Sequence, residues 1–200
     1  MTTADMAIVP AAPGNAPFVT LAGATFPVKV PPRRVLTDQL FAMRDLYPDT
    51  YQTMTETPEA YDVSQLTTCT GMFLDCSALT TVDLAEFIHS GLTNDDGVLG
   101  MFQNCSALTA VDFTNVDTSA VRSFAMMFNM CTNLTTVTGV IDCSSVRMFD
   151  KISPFKMMFW CTTGSRVTEV TLKNVPEDMV PYATAQEMRF SGTVNILNTI

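Results

Sequence analysis

Apolar residues recur along the middle of this chain in a fixed order. Met72-Phe73 is followed by Cys76, Leu79, Val82 and Leu84; Met101-Phe102 by Cys105, Leu108, Val111 and Phe113; and Met127-Phe128 by Cys131, Leu134, Val137 and Val140. Met158-Phe159 opens a worn fourth copy with Cys161, Val167, Val170 and Leu172. Successive Met-Phe pairs stand 29, 26 and 31 residues apart, so the basic unit is 26 residues, with the extra ones placed around 90–97 and 147–151. Self-similarity at such a period marks a solenoid, in which each unit buries its apolar face only against its neighbours.

Within a unit, the segment Leu-x-x-Val-x-Leu alternates as a strand does, turning its Val and last Leu inward. Strands that recur once per turn pair in parallel with the next copy, which predicts a narrow parallel sheet on one side of the coil. The outward positions then form two columns: Thr81, Ala110, Thr136 and Glu169, and Asp83, Asp112, Thr138 and Thr171. Met-Phe-x-x-Cys, with apolar residues three and four apart, suits a helical turn on the opposite side. The pattern predicts an α/β solenoid whose core holds four aligned sets: Met72, Phe73 and Cys76; Met101, Phe102 and Cys105; Met127, Phe128 and Cys131; and Met158, Phe159 and Cys161.

The flanks read differently. Residues 1–34 are rich in Ala, Pro and Thr, with extended candidates at 18–21 and 25–30 closed by Pro31-Pro32. They predict an extended arm with too few large apolar residues for a core of its own, suited to clasping adjacent subunits. Leu36, Leu40, Met43 and Leu46 follow helical spacing up to Pro48, so 35–61 is expected to be a helix and linker capping the array at 62–175. Residues 176–200, with a last strand at 193–197, are the expected C-terminal cap.

Charge and cysteines narrow the function classes. A net charge of -9 argues against nucleic acid, since phosphate binding needs clustered Lys and Arg, and the basic run at 29–34 is too short to supply them. Residues 62–142 carry nine acidic side chains against Arg122 alone, whereas 143–200 carry six basic and five acidic. No run of 18 apolar residues predicts a membrane span. The start lacks a basic segment and Pro10, Pro13 and Pro17 interrupt its apolar residues, so no secretion signal is read. Four of the six Cys hold one repeat position, which places them in the core as free thiols behaving as small hydrophobes. The spacing of Cys69 and Cys76 does not suit zinc, and with His89 the single histidine, no metal or other cofactor is expected.

Thr118-Ser119-Ala120-Val121, then Phe124, Met127-Phe128, Cys131, Leu134 and Val137 resemble the 26-residue repeats of the BspA-like leucine-rich-repeat family of bacterial surface proteins. Met72 to Leu84 and Met101 to Phe113 resemble the second half of that unit, and the likeness covers about 62–175. It implies a leucine-rich-repeat scaffold for surface recognition, with no catalytic residues to carry over. Family members look exported, whereas this chain shows no leader, and a bacteriophage virion component reconciles the two.

The expected function is therefore a non-enzymatic structural or interaction protein. The leading reading is a capsid-decoration or tail-associated virion protein, present as a homo-oligomer or as repeated copies whose arms contact other virion subunits. The alternative is an adhesin on a bacterial or phage surface, binding a host receptor or glycan. Its candidate binding residues lie on the strand face: Thr81, Asp83, Asp112, Thr136, Thr138, Glu169 and Thr171. A hydrolase built on His89 lacks a strained Gly-x-Ser-x-Gly turn. Asp95 and Asp96 lack the alternating ligands of a calcium loop and read as a turn.

Overall fold

Short parallel strand pairs and few helices make up the larger part of the molecule. The computed structural model describes residues 7–9, 18–21, 24–27, 33–58 and 60–198. The chain divides into two units, Met1–Arg33 and Arg34–Ile200.

In the first unit, β1 (Ala7–Val9), β2 (Phe18–Leu21) and β3 (Ala24–Pro27) form a three-stranded antiparallel sheet in that order. Phe18 pairs with Val9 on one side and Pro27 on the other. The expected strand at 25–30 is described only to Pro27; 28–30 and Pro31-Pro32 lie outside the described residues.

The second unit opens with β4 (Arg34–Thr37), α1 (Met43–Leu46) and β5 (Tyr61–Gln65). The helix expected from residue 35 is thus confined to one turn, and its first residues are a strand paired in parallel with β5. The reason lies in burial. Leu36 and Met43 are fully buried, but Leu40, midway between them in the helical pattern, is 43% exposed and sits in a tight reversal bridged to Thr37. Further on come α2 (Leu84–Phe87), β6 (Ala110–Asp112), β7 (Thr136–Thr138), β8 (Ile141–Asp142) and β9 (Glu169–Lys173). A 3-10 helix at Glu177–Tyr182, α3 (Ala185–Met188) and β10 (Thr193–Leu197) complete it. β6 pairs in parallel with β7, and β9 in parallel with both β8 and β10, so the tail adds a strand in register. No described sheet closes into a barrel.

The Met-Phe segments are not helical. They are chains of tight turns in which alternate amides serve different partners. Met72, Leu74 and Cys76 donate back to the carbonyls of Cys69, Gly71 and Phe73, closing the turns. The amides between them donate to the next unit: Cys69 to Gly97, Gly71 to Leu99, Phe73 to Met101 and Asp75 to Gln103. The same rungs join Val98, Gly100, Phe102 and Asn104 to Ser123, Ala125, Met127 and Asn129, and Phe124, Met126, Phe128 and Met130 to Pro154, Lys156, Met158 and Trp160. Each turn chain uses left-handed backbone, at Gly71 and Asp75, at Gly100 and Asn104, and at Met126 and Met130, the first four being residue types that tolerate it. Positive φ every few residues is incompatible with a helix, and spacing of apolar residues alone does not reveal it.

These rungs align the side chains. The rings of Phe73, Phe102, Phe128 and Phe159 stack nearly parallel at centroid spacings of 5.1, 5.6 and 5.7 Å. Phe87 and Phe190 close the two ends edge-on. Offset stacking and edge contacts are the favoured aromatic geometries, each worth about 0.5–1.5 kcal/mol beyond burial. Met72, Met101, Met127 and Met158 are fully buried beside them, as are Cys76 and Cys105; Cys131 and Cys161 are buried too, Cys161 least at 8% exposed. All six cysteines are free thiols.

Candidate binding face

The outward strand positions owe their exposure to the one residue between them. Val111 is buried between exposed Ala110 and Asp112, and Val170 between exposed Glu169 and half-buried Thr171. Parallel pairing sets Ala110 against Thr136 and Asp112 against Thr138. Thr138 donates its hydroxyl to Asp112 Oδ1 at 2.7 Å, and the same oxygen accepts the Thr114 amide at 2.9 Å. The amide first, and the hydroxyl second, hold the Asp112 carboxyl below its usual range. Glu169 Oε1 accepts from the Asn195 side chain of β10 at 2.6 Å. The Asp112 carboxyl also takes a hydrogen bond from the Thr114 side chain, whereas Glu169 Oε2 has no protein partner among the described residues.

Two open depressions follow this face. One of about 300 Å³ is lined by Thr81, Val82, Ala110, Asp112, Thr136 and Thr138. The other, about 370 Å³, takes in Thr136, Thr138, Gly139, Thr168, Glu169 and Thr171. They share Thr136 and Thr138, so β7 is a low ridge between two hollows. Hydroxyls and carboxylates above short apolar side chains can hydrogen-bond a polar partner.

Asp83 departs from the expected column. Residues 81–83 are not a strand; Asp83 is the N-cap of α2, and its Oδ1 accepts the Ala85 amide at 3.0 Å. A short polar side chain before an apolar pair is a cap signal that competes with strand alternation, and here the cap wins. Sequence reasoning also missed Asn195, because only parallel pairing of the tail brings it beside Glu169.

The other candidates separate. His89 Nδ1 accepts the Gly91 amide at 3.0 Å, and its buried Nε2 has no partner among the described residues. Asp95 joins Arg122 at 2.9 Å and also Arg147, tying three successive units at the surface. The insertion at 147–151 is a tight hairpin in which Phe149 and Ile152 exchange both amide bonds around Asp150 and Lys151, each at positive φ. Among the described residues, no three His, Cys, Asp or Glu side chains gather closely enough to hold a metal ion. No described helix is long and apolar enough to cross a membrane.

The family model described as "Mycoplasma protein of unknown function, DUF285" matches residues 35–136 and 96–162. No curated protein and no solved structure matches the chain.

Proposed function

This chain belongs to the DUF285 family, and we propose that it works by binding rather than by catalysis, as a solenoid of the BspA-like leucine-rich-repeat type. The solenoid reading is supported by the rungs, in which the same alternate amides fasten each Met-Phe unit to the next. The binding reading rests on one observation, the polar hollows on either side of β7 with Glu169 Oε2 open to a partner and the exposed Asp112 carboxyl on their wall. Catalysis finds little to use: burial keeps the thiols protonated, and His89 spends Nδ1 on a backbone amide.

The setting we favour is a virion, with repeated copies on a particle. Its support is the division of the chain, since an antiparallel sheet in Met1–Arg33 that forms a unit of its own is suited to engaging a neighbouring copy. The second reading, an adhesin on a cell or particle surface, is supported by the same hollows, which would then take a receptor or glycan.

Two variants separate them. Deleting residues 2–30 should abolish assembly while the circular-dichroism signal and melting transition of the remainder persist; loss of both would remove the assembly reading. Combined Asp112→Ala, Thr136→Ala and Glu169→Ala should abolish host-cell binding by an adhesin and leave a structural subunit able to assemble. Binding and assembly both unaffected by the triple substitution would rule out a role for this face.

A further inference from the structure

The rung pattern is incomplete at the last interface. Each of the three earlier interfaces is closed by a rung just before or at the Cys turn: Asp75 to Gln103, Asn104 to Asn129 and Met130 to Trp160. At the fourth, Met157 donates to Glu187 and Phe159 to Met188, and the next amide in register, that of Cys161, has no backbone acceptor among the described residues. The seam gapes there into a hollow of about 320 Å³ lined by Trp160, Ser165, Gln186, Arg189, Phe190 and Ser191. It shares no lining residue with the hollows beside β7.

Its chemistry is one-sided. Trp160, half-buried, is the only tryptophan of the chain. Arg189 is exposed and makes no ion pair or hydrogen bond through its side chain among the described residues, unlike Arg122 and Arg147. It also stands in left-handed backbone, φ 61°, at the C-terminal end of α3, where glycine is the favoured residue. The nearby Glu187 is taken up by the Ser153 hydroxyl. The hollow therefore offers an indole, a free guanidinium, two hydroxyls and an amide, with no carboxylate on its wall.

We infer that this seam binds a carboxylated sugar, a pyranose bearing an acidic group. A pyranose presents a flat face of C–H groups that suits an indole and a rim of hydroxyls that suits Ser165, Gln186 and Ser191. Its carboxylate matches the planar fork of Arg189, which forms paired hydrogen bonds that an ammonium does not. A volume near the lower end for ligand sites fits one or two sugar rings.

The single tryptophan makes the site its own reporter. Titrating the full chain with D-glucuronate or N-acetylneuraminate should change the Trp160 emission saturably in the millimolar range, with D-glucose, acetate and inorganic phosphate inert at the same concentrations. Arg189→Gln should weaken the response at least tenfold. Arg189→Gly should abolish it while raising the melting temperature, because glycine suits the left-handed position. The Asp112→Ala, Thr136→Ala, Glu169→Ala variant should titrate like the parent, so this inference and the strand-face proposal fail separately. No saturable change with either acidic sugar would overturn it. So would glucose matching them, acetate or phosphate matching them, or Arg189→Gln titrating as the parent does.

Discussion

Cys131 donates its thiol hydrogen to the carbonyl oxygen of Phe102, one unit earlier, at 3.0 Å, and Cys105 does the same to Phe73 at 3.1 Å. Each of these carbonyls also accepts the amide of the Cys in its own unit, so both lone pairs are used. The thiols thereby serve as side-chain rungs where no further backbone donor is available.

Burial pushes these thiols up, Cys76 and Cys131 to about 12 and Cys105 beyond that. An unfolded thiol ionises near pH 8.5, whereas the folded ones keep their protons, so the unfolded state gains from rising pH and the folded state does not. Stability is whole below about pH 8.5 and is lost as pH climbs toward the folded values, each buried thiol adding to the loss. The urea midpoint should fall steeply between pH 8 and pH 10, and less steeply in Cys105→Ala. A midpoint independent of pH over that range would contradict the burial argument.

Gly139 follows β7 at φ 78°, and a Cβ there would stand 2.4 Å from the Thr114 nitrogen and 2.5 Å from the Phe113 carbonyl carbon. Both neighbours are backbone and cannot swing aside. Gly139→Ala should cost about 2–4 kcal/mol, combining left-handed strain with overpacking. Gly164, at φ 86° with nothing within 4 Å, is the control, and its alanine variant should lose only about 1 kcal/mol. Equal losses in chemical denaturation would show that the close approach does not matter.

The columns of Met, Phe and Cys were legible because they recur, and recurrence survives ignorance of the backbone. The conformation carrying them was not. Residues three and four apart suit a helix, but they equally suit successive turns whose alternate amides reach a neighbouring unit, and only left-handed φ at Gly71, Asp75, Gly100 and Asn104 separates the two. The segment after Arg33 failed for a related reason. Its pairing partner, Tyr61–Gln65, lies over twenty residues away, beyond the reach of a periodicity window. On the candidate face, Ala110, Asp112, Thr136 and Thr138 follow from alternation, whereas Asn195 beside Glu169 depends on where the tail pairs. The irregular seam at Trp160 has no counterpart in the repeat and left no periodic trace.

Phe102 sits inside the ring stack, with Phe73 and Phe128 on its two faces, and is fully buried. Phe102→Ala should cost about 3–5 kcal/mol, since removing an interior ring leaves a cavity and breaks two stacked contacts. Phe102→Leu should cost less by refilling part of the volume. Comparable melting temperatures for Phe102→Ala and the parent would mean that the stack does not hold the units together.

Asp83 tests whether a face carboxylate binds or builds. Its Oδ1 caps α2, whose Leu84 and Phe87 are buried and whose Phe87 ring closes the stack against Phe73. Asp83→Ala should therefore cost about 1 kcal/mol through the lost cap, whatever the partner. Asp83→Asn keeps an oxygen that can accept the Ala85 amide and removes only the charge, so its melting temperature should stay close to the parent's. Host binding that falls in Asp83→Ala but not in Asp83→Asn would assign the residue to the scaffold. Equal falls in both, with the stability of Asp83→Asn intact, would return its charge to the binding face despite the break in the strand.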